Sequence, residues 1–285
     1  MKINMEHSSV ELNDLPDEIL MIILKKLCNV EVLYSLKGVN KRLNAVAHDS
    51  IFTNRLTLMR RVSDHCTNPL PDAILDRFCL QILPEIHHKI KWLNLESSSM
   101  ERILHATNYP NLYGLGLYDI INVYDELIVP YLQRMSNLEK LTLNLATFVK
   151  NTFIDGNELN QNIVSYMPRL RIFEFYICSN HYRPKQIYLP SKEYIQHTFR
   201  DFKNDQVSSY IDYFQEKEFS LCHIYSYPYN LKYYYTITNN FPGGLFKYVQ
   251  EVSLYDERSF QHEFFLRIQK SFPFIKIVSI KNSKP

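Results

Sequence analysis

Hydrophobic positions near the start of the chain recur at helical spacing. In "LPDEILMIILKKL", residues 15–27, the apolar positions include Ile19, Leu20, Ile22, Ile23, Leu24 and Leu27. At about 100° per residue they cover roughly 200° of a helix, about twice what a one-sided surface helix uses. Pro16 suits a first helical turn, where its missing N–H costs nothing, and Asp17 and Glu18 complement the helix dipole there. Val32, Leu36 and Val39 then repeat at i, i+4, i+7. Gly38 and Asn40 end that run, and Leu43, Val46 and Ala47 begin another. Residues 13–50 are thus predicted to form a compact helical unit near the lower size limit for independent stability. With so much apolar surface on so small a unit, part of it should be covered by something else.

After residue 89 the period changes. The pattern apolar-x-x-apolar-x-apolar occurs in "IKWLNL" at 90, "LYGLGL" at 112, "LEKLTL" at 138, "LRIFEF" at 170, "FSLCHI" at 219, "VQEVSL" at 249 and "IKIVSI" at 275. The words "YPN", "MSN", "MPR" and "FPF" introduce several of these, and Pro110, Pro168 and Pro273 stop the helix before a strand. Helical stretches lie between them in "SMERILHATN", "DELIVPYLQRM" and "FQHEFFLRIQKSF". Helix, turn and strand in repetition predict parallel strands with right-handed crossovers. Residues 179–215 interrupt the period. They predict a loop, a short helix from Ser191 and a strand at "VSSYIDYF".

Side chains alternate across a strand, so the two apolar positions of each "LxL" face the core. The residues between and after them then face outward. These pairs are Asn94 and Glu96, Gly116 and Tyr118, Thr142 and Asn144, Glu174 and Tyr176, His223 and Tyr225, Ser253 and Tyr255, and Ser279 and Lys281. The expectation is a wet ladder of Tyr118, Tyr176, Tyr225 and Tyr255, interrupted at Asn144. Tyrosine is enriched where surfaces bind protein, so Tyr118, Asn144, Tyr176, His223, Tyr225 and Tyr255 are the candidate partner-binding residues. Ordinary β-propensity of tyrosine explains the same pattern, and the 179–215 interruption is the alternative surface.

The segment "LPDEILMIILKKLCNVEVLYSLKGVNKRLNAVAHDSIF" resembles an F-box. The likeness runs through Leu15-Pro16, Glu18-Ile19-Leu20, Leu27, the Val32/Leu36/Val39 spacing, Asn40-Lys41-Arg42 and the closing Asp49-Ser50-Ile51-Phe52. The family often carries tryptophan where Leu43 and Phe52 stand, and both replacements stay apolar. The resemblance implies a three-helix module that docks on the Skp-type adaptor of a cullin–RING ubiquitin ligase. It implies adaptor contact through Leu15, Pro16, Ile19, Leu20, Ile23, Leu24, Leu27, Val32, Leu36, Val39 and Leu43. The later repeats resemble a degenerate leucine-rich-repeat solenoid. The expected fold is therefore α/β, with a three-helix F-box domain at 10–55 and an irregular leucine-rich-repeat-like domain with a mainly parallel sheet at 56–285. In that architecture the repeats bind the protein to be ubiquitylated.

Composition narrows the alternatives. The chain of 285 residues has 32 basic and 30 acidic residues, a net charge of +2. This lacks the basic excess of a nucleic-acid binder. A helix-turn-helix reader would need a basic recognition face, and only Lys41 and Arg42 offer one. No apolar run approaches 18 residues, and the first residues lack the apolar core of a signal peptide, so no membrane is expected. Cys28, Cys66, Cys79, Cys178 and Cys222 are scattered, without Cys-x-x-Cys, and mostly beside apolar residues. They predict buried reduced thiols in the cytoplasm or nucleus, and no zinc. With six glycines, phosphate-cradling loops are disfavoured. His262-Glu263 lacks a second histidine one turn on, His87 and His88 cannot share a helix face, and "DGNE" at 155–158 reads as a turn. No catalytic residue, cofactor or metal ligand is expected. The reading is a non-catalytic substrate-recognition subunit of an SCF-type ligase, its protein target unknown. A protein-interaction scaffold outside ubiquitylation is the alternative, with an orphan hydrolase behind it.

Overall fold

The computed structural model describes residues 12–63, 66–121, 124–149, 153–182, 190–202 and 207–282. The helices are α1 (Asp17–Leu24), α2 (Asn29–Leu36), α3 (Lys41–Ala47), α4 (Ser50–Thr53), α5 (Asp72–Arg77), α6 (Leu83–Ile86), α7 (Ser97–Ala106), α8 (Val129–Gln133), α9 (Gly156–Asn162), α10 (Lys192–Thr198) and α11 (His262–Ser271). The strands are β1 (Arg55–Thr57), β2 (Arg60–Ser63), β3 (Cys66–Asn68), β4 (Trp92–Glu96), β5 (Gly114–Ile121), β6 (Lys140–Phe148), β7 (Ile172–Tyr182), β8 (Val207–Phe214), β9 (Phe219–Ser226), β10 (Tyr233–Ile237), β11 (Glu251–Asp256) and β12 (Ile277–Asn282). The class is mixed α/β. Contacts divide the chain into two compact units. One comprises the residues up to Leu58 with Leu70–Leu93 and Arg102–Leu112; the other comprises Met59–Pro69, Asn94–Glu101 and the residues from Tyr113 on.

Each of the seven apolar repeats lies on a strand. The largest sheet has the order β1-β4-β5-β6-β7-β9-β8, and a second has the order β10-β11-β12. A backbone step recurs from strand to strand. Consecutive N–H groups, Glu139 and Lys140, donate to the Tyr113 carbonyl, and Arg171 and Ile172 donate to the Glu139 carbonyl. In the second sheet Gln250 and Glu251 donate to Lys232, and Lys276 and Ile277 donate to Gln250. The helix–turn–strand period is therefore expressed as parallel pairing of β5 with β6 and β6 with β7, and of β10 with β11 and β11 with β12.

The strand at 219 departs from expectation. It was predicted parallel like its relatives, but β9 pairs antiparallel with β7, and β8 antiparallel with β9. The short turn at 215–218 returns the chain beside itself, and a two-strand excursion interrupts the parallel series. The helix from Ser191 and the strand at "VSSYIDYF" are both present, as α10 and β8, with the Ser191 hydroxyl accepting from Tyr194 N–H. Strand β10 had no sequence signature of the repeating kind. Its register against β11 shifts between Tyr234 and Ile237, where Thr236 takes φ 55°.

The pairing of β7 and β9 decides the core. One face of β7 carries Phe173 and Phe175 against Phe202 and Phe199, at ring separations of 6.3 and 5.5 Å. The other face carries Tyr176 and Cys178 into a cluster with Tyr210, Tyr225, Tyr234, Phe241, Phe246, Val252, Leu254 and Phe272. Tyr176 donates its hydroxyl to the Tyr235 carbonyl at 3.0 Å, and the same hydroxyl oxygen lies 3.0 Å from His223 Nδ1. Tyr210 stacks on the His223 ring at 4.5 Å. The expected wet ladder is thereby corrected at its centre. Tyr176, Tyr225 and His223 are at most 2% exposed. The alternation was right, but the face to which it assigned these residues is covered by residues 227–272 of the same unit.

Two predictions follow from this packing. Replacing Tyr225 by serine removes a ring packed against Tyr227, Tyr229, Tyr234 and Phe246. Loss of a buried aromatic ring costs about 3–5 kcal/mol, and urea unfolding of Tyr225→Ser should show a loss in this range. His223 gives a pH dependence. Burial pushes its pKa from 6.5 down to about 3. Above the ordinary value the ring is neutral whether the chain is folded or not. Below it, the unfolded chain takes up a proton that the folded ring refuses, so stability falls as pH drops toward 3. Between pH 7.5 and 5 the native protein should lose about 2 kcal/mol more than His223→Gln in urea unfolding, at about 1.4 kcal/mol per unit below the ordinary pKa. Parallel curves for the two proteins would assign the acid sensitivity elsewhere.

Candidate functional site

The helices of residues 12–55 are short, and polar caps set their boundaries. Pro16 precedes α1, whose first turn holds Asp17 and Glu18. Glu31 accepts from Cys28 N–H at 3.0 Å and closes the start of α2. Gly38 takes φ 80° and ends that helix region; a side chain would be strained there. Asn40 Oδ1 accepts from Leu43 N–H at 2.8 Å to start α3, and Asp49 accepts from Ile51 N–H at 2.8 Å to start α4.

Polar ties lock the helices to each other. Arg42 donates through Nε and Nη2 to Asp17 Oδ1 at 2.9 and 2.6 Å, and also to the Leu15 carbonyl. Asn29 Nδ2 donates to the Ile51 and Arg55 carbonyls. Further ties run to residues 70–93 of the same compact unit. Lys37, nearly buried, pairs with Glu85 and lies 3.2 Å from His48 Nε2. Arg77 donates to the Lys37 carbonyl at 2.8 Å and stacks over the Tyr34 ring. The small helical module thus has backing from its own chain.

That backing leaves one apolar stripe open. On α1, Leu20 and Leu24 point inward at 0% and 3% exposure. Ile19, Ile22 and Ile23 on the same helix, and Leu27 just after it, are 40–56% exposed. Val39 is exposed too, because α2 has ended before it reaches that position. The eleven residues expected to meet an adaptor therefore separate into two groups. Leu20, Leu24, Val32, Leu36 and Leu43 form the module's own core, which corrects their assignment to a contact surface. Pro16, Ile19, Ile23, Leu27 and Val39 are exposed and Leu15 half-buried. Ile22, the most exposed of the three isoleucines, was not among the eleven, although its helical position beside Ile19 and Ile23 marked it.

The second expected site is brought together only in part. Asn144 is buried and donates to the Tyr233 hydroxyl. Tyr255 is half-buried, with Phe214 at 5.0 Å and the Lys217 ammonium 4.8 Å from its ring. Tyr118 and Tyr176 border a pocket of about 60 Å³ with Thr142, Glu174, Tyr229 and Asn230. There Glu174 already accepts from Lys140, Thr142 and Asn230 at 3.1–3.2 Å. A pocket so small suits water or the tip of a side chain rather than a ligand, which typically needs about 300 Å³ or more. A larger opening of about 220 Å³, lined by Val164, Met167, Leu170, Arg171, Phe173 and Phe202, had no sequence signature. Glu96, expected on the outer face, instead accepts from the backbone N–H and hydroxyl groups of Ser98 and Ser99, and so starts α7.

Among the described residues, no group of three or more His, Cys, Asp or Glu side chains is placed to hold a metal ion, and no helix is long and apolar enough to cross a membrane. Burial raises the Cys178 thiol pKa to about 12 and raises that of Cys222 as well. Cys28, by contrast, is exposed, against the expectation of uniformly buried thiols.

Residues 12–55 match the F-box domain, the segment that carries the open stripe. F-box domains bind Skp-type adaptors in SCF complexes. A comparison with curated proteins gave no match.

The two faces of α1 should behave differently. Leu20→Ala should cost about 2–5 kcal/mol, as other buried leucine truncations do, and Ile23→Asp should stay within about 0.5 kcal/mol of the native protein. Thermal unfolding followed by circular dichroism measures both. Equal losses would mean that the exposed stripe is also part of a core.

Proposed function

We propose that this chain is a non-catalytic substrate-recognition subunit of an SCF-type ubiquitin ligase. The open stripe of Ile19, Ile22, Ile23 and Leu27, in a segment that matches the F-box domain, carries the reading. Several large aliphatic side chains on one short helix lose contact with water when a partner covers them, at about 25 cal/mol per Å² of apolar surface. The exposed members of the expected set, Pro16, Ile19, Ile23, Leu27 and Val39 with Ile22 added, are the adaptor contact. The bond between Arg42 and Asp17 fixes the start of α1 and so presents the stripe at a set angle. The remaining part of the chain recruits the target. Ubiquitin transfer takes place on other subunits, so the chain contributes proximity and orientation and needs no cofactor of its own.

The test is a pull-down with purified Skp-type adaptor. Ile22→Asp/Ile23→Asp should fold like the native chain and lose at least about a hundredfold in adaptor affinity, or roughly 3 kcal/mol, as charges are forced into a dry contact. Full adaptor binding by the folded double variant would overturn the assignment. Adaptor capture without cullin in cells would favour the scaffold role outside ubiquitylation.

A further inference from the structure

Strand β12 stands at an edge of the second sheet among the described residues. Its register against β11 sets Val278 beside Val252 and Ile280 beside Leu254, and paired residues of a ladder share a face. Val252 and Leu254 are fully buried in the aromatic cluster, together with Phe264 and Ile268 of α11. Val278 and Ile280, one strand further out on that face, are 48% and 54% exposed. The apolar row runs on to the edge strand, but its cover does not. The backbone of that strand is also oriented for pairing. Ile277 donates its N–H to the Gln250 carbonyl at 3.1 Å, so its main-chain polar groups turn toward β11. Successive residues of a strand turn these groups to opposite edges. Those of Val278 and Ile280 therefore point to the outer edge, where an added strand would meet them.

The edge is complementary to itself. Val278-Ser279-Ile280 reads alike in both directions, β-branched aliphatic on either side of a small residue. A two-fold axis normal to the sheet beside Ser279 brings a second copy of β12 alongside, antiparallel. Val278 then meets Ile280 of the second copy, and Ile280 meets its Val278, the reciprocal contact of a two-fold interface. Both pairs use outward N–H and C=O groups, so each exchanges two main-chain hydrogen bonds. The apolar rows become continuous. Val252 and Val278 lead into Ile280 and Leu254 of the second copy, and Leu254 and Ile280 lead into its Val278 and Val252. Like charges directly opposite disfavour pairing, and this register has none. Lys276 stands opposite Asn282, and Lys281 opposite Ile277. A slip by one residue would set Lys276 against Lys281 and Val278 against Ser279, which breaks the rows. We infer that β12 is the two-fold contact of a homodimer, in which two three-stranded sheets join into one. Six strands is a usual sheet size. The contact is narrow, with six residues in each β12, so the dimer is of the weak, concentration-dependent kind. The inference rests on no part of the ligase reading.

Sedimentation equilibrium of the full chain should show monomer and dimer in exchange, with a Kd at or below about 100 μM. Val278→Pro removes an outward N–H and leaves the bonds to β11 in place, a substitution that edge positions accept. It should weaken the dimer at least about tenfold with an unchanged circular dichroism spectrum. Cross-linking tests the register. Ser279 on the axis forms a non-hydrogen-bonded pair, with Cα atoms about 4.5 Å apart, which a disulfide can span. Ser279→Cys should therefore give a disulfide-linked dimer on mild oxidation. Val278→Cys should not, because the two substituted positions lie two residues out of step, about 8 Å apart. The native chain, with its own thiols, is the second control. The cross-link also decides the matter if the proline variant does not fold. A native chain that stays monomeric at about 100 μM would leave the edge to some other partner and overturn the inference. A dimer that the folded Val278→Pro chain retains would place the contact elsewhere. Equal cross-linking of Val278→Cys and Ser279→Cys would overturn the two-fold register.

Discussion

The double-sided burial of β7 governs the larger compact unit. A strand in a helix–strand repeat needs cover on its helix side, and Phe173 and Phe175 find it in Phe199 and Phe202. On β7 the opposite face also carries large rings, so it too must be covered. Antiparallel β9 extends that face with His223 and Tyr225, and residues 227–272 close over it. The second parallel sheet follows from this requirement, since β10 and β11 supply Tyr234, Val252 and Leu254 to the same cluster. The interior stays polar where it can be bonded. Tyr176 reaches the Tyr235 carbonyl, and the buried Asp212 carboxylate accepts from Thr238 and Asn240 at 2.6 Å.

In the smaller unit a different constraint acts. An eight-residue helix cannot bury all of an apolar surface that covers over half its circumference. Leu20 and Leu24 meet α1's neighbours in the module core, and Ile19, Ile22 and Ile23 do not. The side that the chain does cover is held by charge as much as by packing, through Lys37, Glu85, His48 and Arg77. A nearly buried lysine with close partners fixes how residues 70–93 lie against α2, since breaking such a pair leaves a charge stranded. What remains open is aliphatic and held on a helix whose start is pinned by Arg42. A protein partner needs those features in a docking surface, because a preorganised apolar stripe loses little entropy on binding.

Both units thus expose apolar surface where a repeating or amphipathic pattern outruns its own cover. On α1 the surplus is angular, with more apolar circumference than one packing partner can take. On β12 it is lateral, with one strand more than the aromatic cluster reaches. Surplus of this kind is seldom retained on a lone surface, and on α1 it lies in the segment that matches the F-box domain.

Local pattern in the sequence determined the first helices and the seven repeat strands, and which of two faces each residue of those strands takes. The spacing of "LxxLxL", the capping residues Asn40, Asp49 and Ser191, and the turn glycine at 38 act over a few residues, so they can be read without the fold. The apolar excess of α1 was legible in the same way, and with it the need for a partner. Tertiary structure alone decided which side of α1 is spare, because Leu20 and Ile23 are equally apolar and differ only in what lies opposite them. It likewise decided that the tyrosines of β7 and β9 are core. Alternation assigns a side chain to a face, but whether that face meets water depends on other segments of the chain, here those of Tyr234, Phe246 and Phe272. The antiparallel return of β9 escaped the sequence for the same reason. A strand's own residues carry its period, and its direction is set by the neighbour it pairs with.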